Sequence, residues 1–171
     1  MNIVLIGYRG TGKSSVGQLL AERSGRTLMS TDAEVVRRAG RSIPEIVTQH
    51  GWDRFRDLES EVCRELAGKD QLIIDTGGGA ILRQDNVDHL KAKGIVFWLT
   101  AEVSTISRRI GGDTQRPSLT GAKSFIEEIE EVLRERTPTY RAAADHVIAT
   151  DGKTVVEIAD AIQALLQTSQ C

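Results

Sequence analysis

Asn2–Ile6 is a short apolar run, and it leads without a break into Gly7-Tyr8-Arg9-Gly10-Thr11-Gly12-Lys13-Ser14-Ser15. The spacing Gly7-x-x-x-x-Gly12-Lys13-Ser14, set between a strand and a helical segment, restricts the fold more than any other feature of the chain. Glycines open backbone conformations closed to other residues and let the main chain approach a ligand. The N–H groups of such a loop, together with the N-terminus of the next helix, form a nest for anions. A lysine at this place reaches the outer phosphates of a nucleoside triphosphate, and the following serine hydroxyl can ligate magnesium. Gly10, Thr11, Gly12, Lys13, Ser14 and Ser15 are therefore the candidate nucleotide-binding residues, with Ser14 also a candidate metal ligand. The competing reading is a glycine-rich turn with an exposed lysine, which has no need of a strand before it and a helix behind it.

The rest of the chain repeats the same alternation. Apolar runs at Thr27–Met29, Gln71–Asp75, Ile95–Leu99 and His146–Ala149 are separated by stretches with apolar residues three or four apart. These stretches are Ser14–Arg23, Asp53–Leu66, Ser104–Ile110, Ser124–Arg136 and Val155–Leu166. Strand followed by helix, several times over, predicts an α/β fold with a parallel sheet whose strands are buried on both faces. Two segments interrupt the rhythm. Arg41–Trp52 follows a helical segment and contains Pro44, as a small helical insertion would. Gly111–Lys123 holds three glycines and a proline with little apolar content, and reads as a loop. Open α/β sheets bind ligands beyond the carboxyl ends of their strands. Those ends carry Ser30-Thr31-Asp32, Asp75-Thr76-Gly77-Gly78-Gly79 and Thr100.

Composition narrows the function classes. The 171 residues suit one domain, taken as 1–171. A net charge of -2 gives no general attraction to nucleic acid or to anionic membrane. No apolar run is long enough for a transmembrane helix, and no signal peptide is expected at the N-terminus. Cys63 and Cys171 make no disulfide framework and fit a reducing cytoplasm. Cys63 reads as a packed helix residue. The three histidines, His50, His89 and His146, lack the spacing of a zinc site. With no apolar surface stripe left over, a monomer is the default.

The stretches GYRGTGKSS, STDAEV, GRSIPEIV, FRDLESEV, DTGGGAIL, RRIGGDTQRPSL and RERTPTYRAAAD occur in one order along nearly the whole chain. In this the sequence resembles the shikimate kinase family of phosphate-loop kinases. The resemblance implies a three-layer sandwich around a five-stranded parallel sheet, a substrate-binding helical region at about 32–62, and a lid at 111–123. It implies transfer of the γ-phosphate of ATP to the 3-hydroxyl of shikimate, with magnesium, as a step of aromatic amino-acid biosynthesis. Small molecules, ATP and shikimate, are then the partners. A substrate with one carboxylate and several hydroxyls calls for arginine forks and for an acceptor. By resemblance, Asp32, Arg56, Gly77, Gly78, Gly79 and Arg136 hold the substrate, and Arg109 stacks on adenine. Lys13, Asp32 and Arg116 are the catalytic set, Arg116 closing over the transferring phosphate from the lid. Each also has a plainer reading: Arg56 and Arg136 as surface helix charges paired with Glu59 or Glu135, Arg116 as a solubilising charge, Asp32 as a helix N-cap.

Two departures from the family pattern stand out. The family carries Asp-x-Asp after the second strand, where this chain has Ser30-x-Asp32. Asp75 stands where the family has a serine or alanine. Together they suggest that one acid has moved from the second strand to the third, with Asp75 ordering magnesium or its waters. Val47 and Trp52 are milder departures. The rival readings are another small-molecule kinase of similar build, such as a gluconate-type enzyme, a GTP-binding switch, and a silent nucleotide-binding relative. Asp75-Thr76-Gly77-Gly78 satisfies the Asp-x-x-Gly of a switch, but no Asn-Lys-x-Asp signature follows the fourth strand.

Overall fold

The computed structural model describes residues 1–111 and 124–169. Five strands form one parallel sheet: β1 (Asn2–Ile6), β2 (Thr27–Ser30), β3 (Leu72–Asp75), β4 (Gly94–Thr100) and β5 (His146–Ala149). Their order across the sheet is β2-β3-β1-β4-β5, so the phosphate-loop strand lies at the centre. Register pairs Leu5 with Asp75 and with Phe97, and pairs Ser30 with Asp75. The carboxyl ends of β1, β2 and β3 thus lie side by side.

The strand period of two divides the core. Ile3 and Leu5 face one way, with Ile73, Phe97 and Leu99, onto helix α1 (Lys13–Ser24) and helix α7 (Val155–Thr168) through Val16, Leu20, Ile158 and Ile162. Val4 and Ile6 face the other way, with Ile74, Val96 and Trp98. They meet Phe55, Val62 and Leu66 of α3 (Ile43–Gly68), Val87 and Leu90 of α4 (Gln84–Ala92), and Tyr140 of α6 (Phe125–Ala143). A third cluster joins Tyr8 to α5 (Val103–Ile110) and α6 through Ile106, Ile110, Ile129 and Val132. The expected three-layer α/β sandwich is present.

Several local expectations change. The outer strands β2 and β5 are not buried on both faces: Thr27, Val147 and Ala149 are exposed, and on β5 the exposed pair flanks the buried Ile148, so one face of that edge strand is left uncovered. α4 carries too few apolar residues to show a helical period, yet Val87 and Leu90 suffice to dock it. α6 continues past Arg136 and through Pro138, since Tyr140 and Ala143 beyond the proline are buried in the core. Asp32 is not the N-cap of α2 (Thr31–Ala39). Ser30 is the cap, its hydroxyl accepting from the Ala33 N–H, and Asp32 stands in the first turn, where a carboxylate also suits the helix dipole.

The insertion around 41–52 is the first part of α3. It starts at a Ser42/Glu45 capping box with Pro44 in the first turn and breaks at Gly51, whose φ of 80° and ψ of 169° are not helical. Cys63 is fully buried, and burial, with the Glu59 and Asp32 carboxylates nearby, pushes its thiol well above the usual range. It is a packing residue.

Candidate active site

The phosphate loop is shaped by its own hydrogen bonds. Gly12, with φ of 94°, turns the chain into α1 and offers no side-chain cap, so the first N–H groups of the helix face the cleft. Thr11 is buried, and its hydroxyl donates to the Tyr8 carbonyl at 2.8 Å, so it shapes the loop from behind. The Lys13 ammonium donates to the carbonyls of Gly7 at 2.8 Å and Tyr8 at 3.1 Å, which folds the side chain across the loop. Ser14 and Ser15 are exposed at the start of α1. On the loop's rim, Arg109 donates to the Gly10 carbonyl at 3.1 Å and to the Thr150 hydroxyl at 3.2 Å.

β3 brings the second half of the site alongside. Asp75 is 7% exposed, and its carboxylate accepts a 2.6 Å hydrogen bond from the Ser14 hydroxyl. Thr76 ties the strand end to β1, its N–H and hydroxyl both donating to the Leu5 carbonyl. The Gly77 N–H donates to the Thr31 hydroxyl at 2.8 Å, linking the glycine turn to α2.

Two of the three glycines, Gly77 and Gly79, are required by what packs on them, while a methyl group at Gly78 would make only ordinary contacts. A methyl group at Gly77 would lie 2.6 Å from both the Asp32 and the Glu59 carboxylates. One at Gly79 would lie 2.3 to 2.4 Å from the guanidinium atoms of Arg56. At Gly78 the neighbours are the Arg136 guanidinium and the Tyr140 hydroxyl, and that hydroxyl donates to the Gly78 carbonyl. The main chain of 77–79 therefore forms a floor, with Asp32, Arg56 and Arg136 gathered around it.

The two arginines are not surface charges. Arg136 is 8% exposed. Arg56 pairs with Glu59, as the plainer reading allowed, but at 2.8 Å with a wholly buried carboxylate. The Arg56 guanidinium also lies 5.3 Å from the Trp52 ring centre and 5.2 Å from that of Phe55. A cavity of about 410 Å³ opens between Trp52, Arg56, Leu82, Glu135 and Arg136, so both arginines line one space. A cleft of about 570 Å³ is lined by Lys13, Ser14, Asp32, Asp75, Gly78 and Arg109.

Sequence reasoning missed three contributors. Glu59 was visible as an acid three residues from Arg56, but its burial was not. Tyr140 belonged to the RERTPTYR stretch, yet its contact with Gly78 joins residues 62 positions apart. Burial pushes the Tyr140 phenol up to about 12, so it stays a donor at physiological pH. Thr31 stood in the strand end Ser30-Thr31-Asp32, but its link to the Gly77 N–H across 46 positions did not show. Arg116 and the lid at 111–123 lie outside the described residues, apart from Gly111.

A sequence profile described as shikimate kinase matches residues 9–167. The shikimate kinase of Nitratidesulfovibrio vulgaris is 42% identical over 170 residues, covering 98% of this chain and 96% of that protein. The shikimate kinase of Syntrophus aciditrophicus is 42% identical over 180 residues, covering 99% and 92%. Among solved structures, the shikimate kinase from Acinetobacter baumannii in complex with shikimate superposes with a TM-score of 0.93 at 35% identity, covering 98% and 93%. The shikimate kinase from Aquifex aeolicus gives a TM-score of 0.83 at 30% identity, covering 99% and 98%. Sequence and backbone agree over almost the full length of both partners, and the chain belongs to the shikimate kinase family.

Proposed function

We propose that this chain transfers the γ-phosphate of ATP to the 3-hydroxyl of shikimate, giving ADP and shikimate 3-phosphate. The observation that carries the reading is the junction at Gly77–Gly79. There a nest of backbone amides with Lys13 and Ser14 on one side meets the buried Arg136, the half-buried Arg56 and the Asp32 carboxylate on the other.

Phosphoryl transfer through a loose transition state depends on alignment and on neutralising charge. Lys13 would leave its own loop carbonyls for the phosphates, an exchange of one set of hydrogen bonds for a charged one. Arg56 and Arg136 would fork the acceptor's carboxylate and so fix the ring. Asp32, at the edge of the same floor, would orient the attacking hydroxyl and accept its proton. The Tyr140 phenol and the Glu59 carboxylate hold the floor and Arg56 in place. Arg109, on the nucleotide side, would stack on adenine, and Arg116 would close from a lid at 111–123. The helical region at 32–62 would be the substrate-binding part of a single domain.

The oxygens of Ser14 and Asp75, held together at 2.6 Å, are hard donors of the kind magnesium prefers. Magnesium bound there supplies positive charge against the phosphate oxygens. The described residues contain no helix long and apolar enough to cross a membrane. We place the chain in the cytoplasm, as a monomer.

The test is ATP consumption with and without shikimate, followed by ADP release and phosphorus NMR of the product. Shikimate-dependent ADP formation with a 3-phosphate product is expected. Phosphorylation of a different acceptor in a small panel, or preference for GTP without any acceptor, would overturn the assignment.

A further inference from the structure

We propose that Asp75 is the residue that positions the metal end of the nucleotide, and that β2 and β3 offer a single carboxylate position that can be filled from either strand. This deepens the kinase reading and rests on its metal–nucleotide half only.

Asp75 ends β3, the strand beside the phosphate-loop strand, and it is in register with Leu5 just ahead of the loop. Its carboxylate holds the hydroxyl of Ser14 at 2.6 Å, the group best placed to ligate a metal at the phosphates. Among the described residues no set of three or more His, Cys, Asp or Glu side chains forms a metal cage. A magnesium ion here would share its shell with phosphate oxygens and water, as it does at most nucleotide sites. In such a site the protein's part is to orient one hydroxyl and the ordered waters, which a nearly buried carboxylate beside Ser14 can do.

Asp32, the other acid of the cleft, serves a different place. Its carboxylate packs against Gly77, on the acceptor side. Ser30 is the direct register partner of Asp75 on β2. Leu28, two residues earlier on β2, packs in the same cluster as Ile73, two residues before Asp75, against α1. Ser30 and Asp75 thus carry their side chains to the same sheet face, the one on which Ser14 stands. At present Ser30 spends its hydroxyl on capping α2. An aspartate there would cap as well and would bring a carboxylate next to the same spot. Two carboxylates at once would repel across neighbouring strands, so one acid for the pair is the stable arrangement.

Calorimetric titration of ADP into the full chain, with and without magnesium and without any acceptor, tests this. Wild type should bind ADP more tightly with magnesium. Asp75→Asn, which keeps the shape and an acceptor for Ser14, should lose roughly tenfold or more of that metal-dependent gain. Its affinity for metal-free ADP should be kept or improved, because a negative charge beside the phosphates is gone. The reciprocal exchange Ser30→Asp/Asp75→Ser should recover the magnesium gain that Asp75→Ser loses. Thermal melts of each variant identify any that fails to fold, and Asp75→Asn carries the test if Asp75→Ser does. A full magnesium gain in Asp75→Asn overturns the proposal, as does an exchange no better than Asp75→Ser alone. So does a wild type whose ADP affinity ignores magnesium. None of these outcomes depends on the acceptor, so a failure of the shikimate assignment is told apart from a failure here.

Discussion

Arg56 is held on three sides: by the Glu59 carboxylate, by the Trp52 and Phe55 rings, and by the bare main chain at Gly79. Such a guanidinium is preorganised, so little rotamer entropy remains to be lost when it meets a carboxylate. Removing its partner is costly, because a nearly buried charge is then left uncompensated. Glu59→Ala should destabilise the fold by about 3–5 kcal/mol in denaturant unfolding. Arg136 has a simpler part in the proposed reaction. Arg136→Ala should raise the KM for shikimate far more than the KM for ATP; equal effects would argue against its place in the acceptor pocket. Lys13→Met should lower kcat by about 10²–10³-fold, the scale of losing one charged donor at a transition state. Its circular dichroism and melting curve should stay near those of wild type.

At the scale of elements, two features of α2 and α3 have measurable consequences. Glu34 anchors α2 by accepting from Arg37 at 2.9 and 2.6 Å and from Arg38 at 2.7 Å. Arg38 also reaches Glu65 on α3 at 2.8 Å. The bonds from Arg37 and then Arg38 hold the Glu34 carboxyl down at about 2, against an ordinary value of 4.5. A depressed carboxylate contributes stability that is fully present above 4.5 and lost as pH falls towards about 2. Glu34→Gln should therefore flatten the acid limb of the stability profile over that window, read by denaturant unfolding at a series of pH values. The second feature is the break in α3. Gly51 has φ of 80° and ψ of 169°, and a methyl group there would meet open space, so only backbone strain opposes it. Gly51→Ala should cost about 1–3 kcal/mol without touching any neighbour.

For the molecule as a whole, the site is a meeting of strand ends rather than a property of one segment. β1 supplies the phosphate loop, β3 supplies Asp75 and the glycine floor, α2 and α3 bring Asp32 and Arg56, and α6 brings Arg136 and Tyr140. A ligand that bridges these parts binds the folded state only. ADP with magnesium at a hundred times its Kd should add about 2.7 kcal/mol of stability, visible as a raised midpoint in thermal melts. The same melt without ligand should show one transition if the parts unfold together.

The spacing from Gly7 to Ser14, behind a run of apolar residues, was enough to place a polyphosphate nest at the tip of the first strand; that this strand is central came from the sheet order. The alternation of strand and helix was enough to expect a parallel sheet. Both are local: a loop needs its glycines and a strand its period of two, and each is written within about ten residues. The register of β2 on β3, the burial of Glu59 and the reach of Tyr140 to Gly78 could not be read that way. Nor could the docking of α4 or the exposure of the edge strands. These depend on which surfaces meet after the chain has closed over long separations, and a side chain's burial and partner come from that packing. The pairing of Ser14 with Asp75 shows the division: each residue was visible as a candidate, but only the tertiary structure, by setting β3 beside β1, put the two oxygens within one hydrogen bond.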